Sequence, residues 1–308
     1  MDLTVRACSE ADLDGVVALI AAKDVADLGE ADDPASIRVD VEGDWRRLGE
    51  DFRRNAWVAV QAGGVVGYAD VLADRPARAL LNPNGGVLPS HRGQGIGTRL
   101  LELAEGRVLE FEPQPERLRT VVPGGTAATI AFLQGRGYAE TSRSWELTIH
   151  LDGEQPAPDW PEGLSVRTFR GGEENEALYR LVNDAFSDND GYEDQTFERW
   201  ASFMLGPERD PELYFVVEDE RGELAGCTLC RWYPDTGWIQ QVAVRRDQRG
   251  RGLGMALLRH AFGELYGRGQ RRIGLTVDSW NSTGAKRLYE RAGMRVSLEH
   301  VKLEKPLS

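Results

Sequence analysis

The sequence is poor in the residues that build disulfide frameworks and metal sites. It has three cysteines, Cys8, Cys227 and Cys230, and four histidines in 308 residues. Cys227 and Cys230 form a C-x-x-C pair inside the predicted strand of "LAGCTLCRWY", where side chains three residues apart point to opposite faces. The histidines show no ligand spacing. This scarcity favours a reducing compartment and predicts a protein without a bound metal.

Long apolar runs and an excess of positive charge are also absent. No stretch reaches the roughly 18 apolar residues that a membrane-spanning helix needs. "MDLTVRACSEADLDG" lacks the basic-then-apolar order of a secretion signal, so we expect a cytoplasmic protein. Lys and Arg number 37 against 50 Asp and Glu, a net charge of −13. This balance argues against nucleic acid or an anionic membrane as a partner, and fits either a cationic small molecule or plain solubility.

The sequence contains two ordered copies of one pattern. "LTVRACSEADLDG" from Leu3 matches "LSVRTFRGGEENEA" from Leu164, and each predicts a short strand followed by a helix. "WVAVQAGGVVGYADV" from Trp57 and "YFVVEDERGELAGCTLC" from Tyr214 each predict a β-hairpin. Gly-rich turns follow at "RGQGIG" and "RGRGLG", and "FLQGRGY" and "LYERAGM" close the two copies. Similarity in constant order predicts a duplicated domain.

A proline-rich segment separates the copies. "HLDGEQPAPDWPEG" carries three prolines, which remove backbone donors and stiffen the chain as in a linker. Hydrophobic residues make up 41% of the chain, enough for a core in each half. We predict an N-terminal domain over residues 1–150, a linker over 151–163 and a C-terminal domain over 164–308. Strands and helices around an antiparallel hairpin predict an α/β (α+β) fold with a mixed sheet in each domain.

The Gly-rich turns have the features of an anion site. In the second copy "WIQQVAV" predicts a strand, "RRDQRGRG" a turn and "LGMALLRHAFGELY" an amphipathic helix. The first amides of such a helix are unpaired, and with the helix dipole they suit a pyrophosphate. No Gly-Lys-Ser/Thr follows, and the dinucleotide fingerprint spacing is missing, so neither of those phosphate loops is present. The recurrence in the same context favours anion binding.

The pattern Arg-x-x-Gly-x-Gly after a Val-rich strand resembles the acyl-CoA signature of the GNAT acetyltransferase superfamily. "VDSWNSTGAKRLYERAGM" from Val277 resembles the block that closes GNAT domains. The match covers nearly the whole chain as two tandem domains, a layout similar to mycothiol synthase-like actinobacterial enzymes. The resemblance implies acetyl-CoA as co-substrate, bound in the second copy by Val242, Val244, Arg249, Gly250, Arg251, Gly252, Leu253, Gly254, Met255 and Asn281. The corresponding positions of the first copy are Arg92, Gly93, Gly95 and Gly97.

The resemblance also implies that Tyr289 protonates the departing thiolate. A tyrosine with an ordinary pKa of about 10 is protonated at neutral pH and has a proton to give. In the first copy, Leu133 occupies the position of Tyr289 and Gly125 that of Asn281, and Pro83 interrupts the strand of "ALLNPNGGV". We therefore predict catalysis in the second copy and a catalytically degenerate first copy, structural or regulatory, with or without bound coenzyme.

The general base is harder to assign. Mycothiol synthase-like enzymes are expected to carry a glutamate on the strand before the turn, where this chain has Trp238, Gln240 or Gln241. Asp278, at the end of the strand before Asn281, is a candidate, and a helix-capping or loop role is an equally open interpretation. A water relay is a further alternative. The base therefore stays unassigned, with Asp278 as the catalytic candidate beside Tyr289.

These features predict an N-acetyltransferase that moves an acetyl group from acetyl-CoA to a primary amine of a small molecule by direct attack in a ternary complex. "NDAFSDNDGYEDQTFERW" from Asn183 suits either a cationic acceptor or a solvated loop with a small satellite core. Two alternatives stay open: a non-catalytic tandem acyl-CoA-binding or sensing protein, and a mycothiol synthase in the strict sense. We expect a small-molecule amine partner, no nucleic acid or membrane, and a monomer or homodimer.

Overall fold

The computed structural model describes residues 3–75, 77–189, 192–206, 209–281 and 284–307. The Cα positions divide the chain into two compact units. Unit 1 comprises residues 1–143 and 299–308, and unit 2 comprises residues 144–298. The domain limits given above, with a linker over 151–163, follow the sequence copies rather than Cα proximity, and they stay a prediction.

The first copy folds into alternating strands and helices, as its sequence pattern predicts. Its apolar residues recur at helical spacing in the long helices and alternate in the strands. In chain order the elements are β1 (Thr4–Ala7), α1 (Leu13–Leu28), α2 (Pro34–Leu48), α3 (Phe52–Asn55), β2 (Ala56–Gln61), β3 (Gly64–Arg75), β4 (Arg78–Leu81), β5 (Gly86–Val87), α4 (Ile96–Val108), β6 (Arg117–Pro123), α5 (Ala127–Gln134) and β7 (Ala139–His150).

The second copy repeats this order without a counterpart of α3, and with one strand where the first copy has β4 and β5. The predicted interruption at Pro83 is confirmed, because β4 ends two residues before it and β5 begins three residues after it. The elements are β8 (Leu164–Thr168), α6 (Asn175–Phe186), α7 (Phe197–Met204), β9 (Tyr214–Asp219), β10 (Leu224–Trp232), β11 (Gly237–Val244), α8 (Leu253–Gly267), β12 (Arg272–Asp278), α9 (Ala285–Arg291) and β13 (Arg295–Pro306).

Each unit contains a mixed sheet with one parallel pair of strands. In unit 1 the order is β1-β2-β3-β4-β6, followed by residues 300–306 of β13, and β4 and β6 are the parallel pair. In unit 2 the order is β8-β9-β10-β11-β12, followed by residues 144–150 of β7, and β11 and β12 are the parallel pair. The mixed-sheet fold is therefore confirmed. The last strand of the chain completes unit 1.

Helices cover both faces of each sheet and bury its alternating side chains. In unit 1, α1 and α2 bury Ile20 and Trp45 on one face, while α4 and α5 bury Leu101 and Leu133 on the other. In unit 2 the corresponding layers are α6 with α7 and α8 with α9. Among the described residues, no helix combines the length and the apolar character needed to cross a bilayer.

Candidate active site

The parallel strands of unit 2 pair only at their beginning. The ladder between β11 and β12 consists of Gly237 with Ile273 and Trp238 with Gly274. Beyond this point a β-bulge at Gln240 interrupts the register of β11 with β10. Bulges bend a strand and increase its twist, which opens a gap beside the unpaired edge. The predicted coenzyme contacts Val242 and Val244 lie on the part of β11 that follows the bulge.

The Gly-rich turn after β11 forms a cradle of free backbone donors. Gly250 and Gly252 have φ of +76° and +92°, and Gly252 is the residue that precedes α8. A Cβ on either glycine would meet no heavy atom within 4 Å. The amides of residues 250–254 find no acceptor within the described part of the chain, and the first helical bonds run from Met255 and Ala256 to Gly252 O. This arrangement suits a bound anion.

The arginines of the turn bind protein atoms, which gives them a positioning role. Arg249 donates from Nε to Val244 O (3.2 Å) and from Nη1 to Asp188 (2.7 Å). Arg246 donates to the same carboxylate, and the two guanidinium groups lower the pKa of Asp188 to about 2. Arg251 donates to a backbone carbonyl of the proline-rich segment (3.0 Å). Arg249 therefore fastens the turn to β11 and to the segment after α6.

The first copy repeats this geometry. Arg92 donates from Nε to Val87 O (3.2 Å) and forms a two-point ion pair with Asp27 (2.7 and 2.9 Å) near the end of α1. Gly93 and Gly95 have φ of +76° and +81°. The sequence-predicted residues of this copy all line one cavity of about 600 Å³ in unit 1: Arg92, Gly93, Gly95 and Gly97.

Tyr289 lies on α9 with its ring in the apolar core of unit 2. It is 9% exposed and belongs to one cluster with Leu258, Phe262 and Met294. Burial raises the pKa of Tyr289 to about 12, so the hydroxyl stays protonated at neutral pH. No hydrogen bond joins this hydroxyl to another described residue. The Tyr289 hydroxyl therefore has a proton that it does not donate to any described residue.

The first copy carries no equivalent donor at that place. Leu133 is 5% exposed and packs in the core of unit 1. Tyr138, five residues further on, donates to Glu105 at 3.1 Å, and Lys305 binds the same carboxylate. The hydroxyl of Tyr138 is therefore held in an ionic cluster of unit 1.

Asn281 and Asp278 lie between β12 and α9. Asn281 Oδ1 accepts from Ala285 N at 3.2 Å, which ties Asn281 to the first residue of α9, the helix that carries Tyr289. Asp278 is exposed at the end of β12, and its carbonyl accepts from Asn281 N at 3.1 Å. Residues 282 and 283 of the "NSTG" motif lie outside the described residues. A catalytic role for Asp278 stays a prediction.

The side chain of Gln241 on β11 has an acceptor without a partner among the described residues. This acceptor is the buried Oε1 atom. Sequence reasoning considered Gln241 only as a replacement for a base, and an amide takes up no proton. Its carbonyl can still accept an N–H. The pattern that could have indicated it is a polar residue next to a strand bulge.

The acidic aromatic segment after α6 partly forms a core. Trp200 is 1% exposed, and the rings of Phe197 and Trp200 pack against Tyr179. Tyr192 donates to Asn183 at 2.6 Å. Residues 190 and 191 of this segment lie outside the described residues. The buried rings favour the satellite core among the two interpretations of this segment.

The cysteine pair occupies opposite faces of β10, as predicted. Cys227 packs with the α6 and α7 layer, and Cys230 packs with the α8 layer. Burial raises the pKa of both thiols to about 12, which keeps them protonated and unreactive. In the described ranges, no group of three or more His, Cys, Asp or Glu side chains has the arrangement of a metal site.

Two family models match the chain, one in each copy. The acetyltransferase (GNAT) family matches residues 175–294, and an acetyltransferase (GNAT) domain matches residues 53–140. The mycothiol acetyltransferase of Thermobispora bispora is 31% identical over 214 residues, which cover 67% of this chain and 70% of that protein. The chain therefore belongs to the GNAT acetyltransferase family.

Solved structures show the tandem arrangement. A GCN5-related N-acetyltransferase from Sphaerobacter thermophilus has 35% identity and a TM-score of 0.82, covering 99% of this chain and 95% of its own. A tandem GNAT protein from the clavulanic acid biosynthesis pathway, 18% identical, shares the fold with a TM-score of 0.74 over 99% of this chain and 98% of its own. The prediction of a tandem GNAT enzyme is confirmed: the chain is an N-acetyltransferase, and this family uses acetyl-CoA as co-substrate.

Proposed function

We propose that the second copy transfers the acetyl group of acetyl-CoA directly to the primary amine of a small molecule in a ternary complex. The observation that carries this proposal is the protonated hydroxyl of Tyr289, which sits on a buried ring, has no hydrogen-bond partner among the described residues and is replaced by Leu133 in the first copy. The relative from Thermobispora bispora is a mycothiol acetyltransferase, and this similarity supports a small-molecule acceptor.

The backbone of the second Gly-rich turn holds the diphosphate in this proposal. The amides of residues 250–254 have no acceptor among the described residues, and the space in front of Gly252 is open. The pantetheine arm lies in the gap between β11 and β12, beside Val242 and Val244. Gly254 lies in the first turn of α8, where a Cβ would come within 3.0 Å of a Leu288 side-chain carbon. Glycine there allows α8 and α9 to pack closely.

The chemistry requires one proton donor and a neutral amine. The amine nitrogen attacks the thioester carbonyl, so that a C–N bond forms and the C–S bond breaks. The departing sulfur takes the proton of Tyr289 Oη, and the tyrosinate recovers a proton from the newly formed ammonium through solvent. The products are the amide and free coenzyme A thiol.

The test is the substitution Tyr289→Phe, with Tyr138→Phe as the matched control. Loss of the acid lowers kcat by about 10²- to 10⁴-fold, while the affinity for acetyl-CoA stays within about twofold. Release of free thiol is measured with panels of polyamines, amino sugars, aminoglycosides and peptide N-termini. Tyr138→Phe also removes a buried hydroxyl, yet leaves turnover unchanged because Tyr138 binds Glu105 in unit 1. Unchanged turnover of Tyr289→Phe contradicts the proposal.

A further inference from the structure

The cavity of unit 1 is large enough for a ligand of its own. Its volume of about 600 Å³ lies in the range of small-molecule sites. It extends from the first Gly-rich turn, where Arg136 donates to Thr98, to the break between β4 and β5, where Tyr68 and Asn82 form the wall. One region of the wall thus contains the Gly-rich turn and the guanidinium group of Arg136, and another contains the polar residues Tyr68 and Asn82.

Two buried carboxylates lie behind Tyr68 and Asn82. Asn82 Nδ2 donates to Asp44 Oδ2 (2.7 Å) and to Asp70 Oδ2 (2.8 Å). The hydroxyl of Tyr68 donates to Asp70 and accepts from Trp45 Nε1 at 2.8 Å. Asp70 has no exposed surface, and its Oδ1 has no hydrogen-bond partner among the described residues. The cluster therefore contains a buried acceptor that still lacks a donor.

The charges around Asp70 favour an added cation. Two carboxylates that share one amide donor repel each other in a low-dielectric interior. Burial, and then the charge of Asp44, raise the pKa of Asp70 to about 7. Arg47 already forms an ion pair with Asp44, and Lys23 at the nearby cavity wall is paired with Asp24 at 2.6 Å, so among the described residues Asp70 is the carboxylate of the two without a cationic partner. The ionisable groups packed around Asp70 are Asp44 and Arg47 of α2, Tyr68 of β3, and Cys8 after β1.

The GNAT fold does not require this cluster, because the second copy lacks it. Gly67 and Gly226 each pair with the last strand residue before a Gly-rich turn, so they align the two copies. Three residues further on, Asp70 corresponds to Leu229, which is fully buried in an apolar core. The fold therefore accommodates an apolar leucine at the position of Asp70. The carboxylate in the first copy therefore calls for a role beyond folding.

We propose that unit 1 binds a small molecule with a primary ammonium group, received at the wall of Tyr68 and Asn82 with the carboxylates of Asp44 and Asp70 behind it. The remainder of the ligand occupies the 600 Å³ cavity. A bound cation lets both carboxylates ionise and offsets their repulsion, which a neutral ligand of the same shape does not. This site belongs to unit 1, and it does not depend on the chemistry proposed for the second copy.

The test uses hexylammonium as the probe and hexan-1-ol as the neutral ligand of equal length. The indole N–H of Trp45 donates to Tyr68, so its resonance in a ¹H–¹⁵N spectrum reports on this wall. It is assigned from the spectrum of Trp45→Phe. We expect a saturable shift with hexylammonium and an affinity for hexan-1-ol at least about tenfold weaker. An equal response to both ligands, or none up to about 50 mM, where millimolar binding is visible, overturns the proposal.

The substitution Asp70→Asn tests the charge directly. It keeps the size of the side chain and weakens hexylammonium binding at least about tenfold. Asp14→Asn, whose parent carboxylate is 86% exposed, makes the same change of net charge and leaves binding unaltered. Unaltered binding by Asp70→Asn overturns the proposal.

The pH dependence separates a ligand site from a structural cluster. The folded-state pKa of Asp70 is raised, so the stability contributed by its protonated form is present below about pH 4 and lost as the pH rises through 7. Asp70→Asn therefore gains stability relative to wild type across that interval. Hexylammonium binding to wild type tightens between about pH 5 and 8 as Asp70 ionises. If Asp70→Asn does not fold, the pH dependence of hexylammonium binding to the wild-type protein remains as the test. A wild-type affinity that does not change with pH overturns the proposal.

Discussion

Replacing Gly252 with alanine tests the proposed diphosphate cradle at a single atom. The backbone at Gly252 has φ of +92°, and an added Cβ would meet no heavy atom of the protein within 4 Å. In the proposed complex this methyl group lies in the space that a phosphate oxygen occupies in front of the free amides of α8. The left-handed backbone also costs an alanine about 1–2 kcal/mol of folding stability.

The effect on coenzyme binding follows from the loss of one contact. A hydrogen bond to a charged group contributes about 1.5–3 kcal/mol, and each 1.4 kcal/mol is a tenfold change in affinity. Displacing one phosphate oxygen from one amide thus raises the KM for acetyl-CoA about 10- to 150-fold. The kcat at saturating coenzyme changes little, because the thioester and Tyr289 stay in place.

Gly222→Ala provides the matched control. Gly222 lies in the turn between β9 and β10 with φ of +76°, and its added Cβ would also meet no heavy atom within 4 Å. Both variants lose similar stability in chemical denaturation, so a difference in KM isolates the phosphate contact. Steady-state assays of thiol release report on the second copy even when the first copy holds coenzyme. A Gly252→Ala enzyme with a KM within twofold of wild type refutes the cradle.

Two further substitutions test which contacts stabilise α9 beside the site and the core of unit 1. Asn281→Ala removes the hydrogen bond from Ala285 N, the first amide of α9, and costs about 1 kcal/mol of unfolding free energy, whereas Asn281→Asp keeps the acceptor and loses little, as measured by chemical denaturation. An unaltered midpoint for Asn281→Ala contradicts the contribution of this bond. Leu303→Ala creates a cavity in the core of unit 1 and costs about 2–5 kcal/mol, whereas Val296→Ala on the same strand, 44% exposed, costs little. Equal losses contradict the placement of Leu303.

The fold and the Gly-rich turns could be predicted because their signals are local. The strand predicted in "WIQQVAV" is β11, and the helix predicted from Leu253 is α8. Glycines with positive φ at a strand-to-helix turn leave a recognisable trace in sequence, since few other residues adopt that conformation. The same strand, turn and helix signals occur in both copies, so the prediction for one copy supports the prediction for the other. The pattern of neighbouring residues is therefore enough to predict these strands, helices and turns.

The partners of the charged residues could not be predicted, because they come from distant parts of the chain. Arg249 binds Asp188, 61 positions earlier, and this contact helps to hold the turn in place. Asp70 lies in a strand whose pattern suits a half-exposed hairpin, yet it is wholly buried beside Asp44 of α2. Which carboxylate becomes buried depends on helix packing, and the sequence pattern of a strand carries no information about it.

The position of β13 has a consequence for how the protein is made. Val301 pairs with Val122 and helps to close the core of unit 1, although most of that unit is encoded far upstream. At roughly 5–20 residues per second, a ribosome needs about 10–40 seconds to bridge the interval. During this time β6 of the nascent first unit lacks its partner strand β13, so one edge of the sheet is unpaired. A gene fusion that exchanges the N-terminal half for that of a relative must therefore carry the final strand with it.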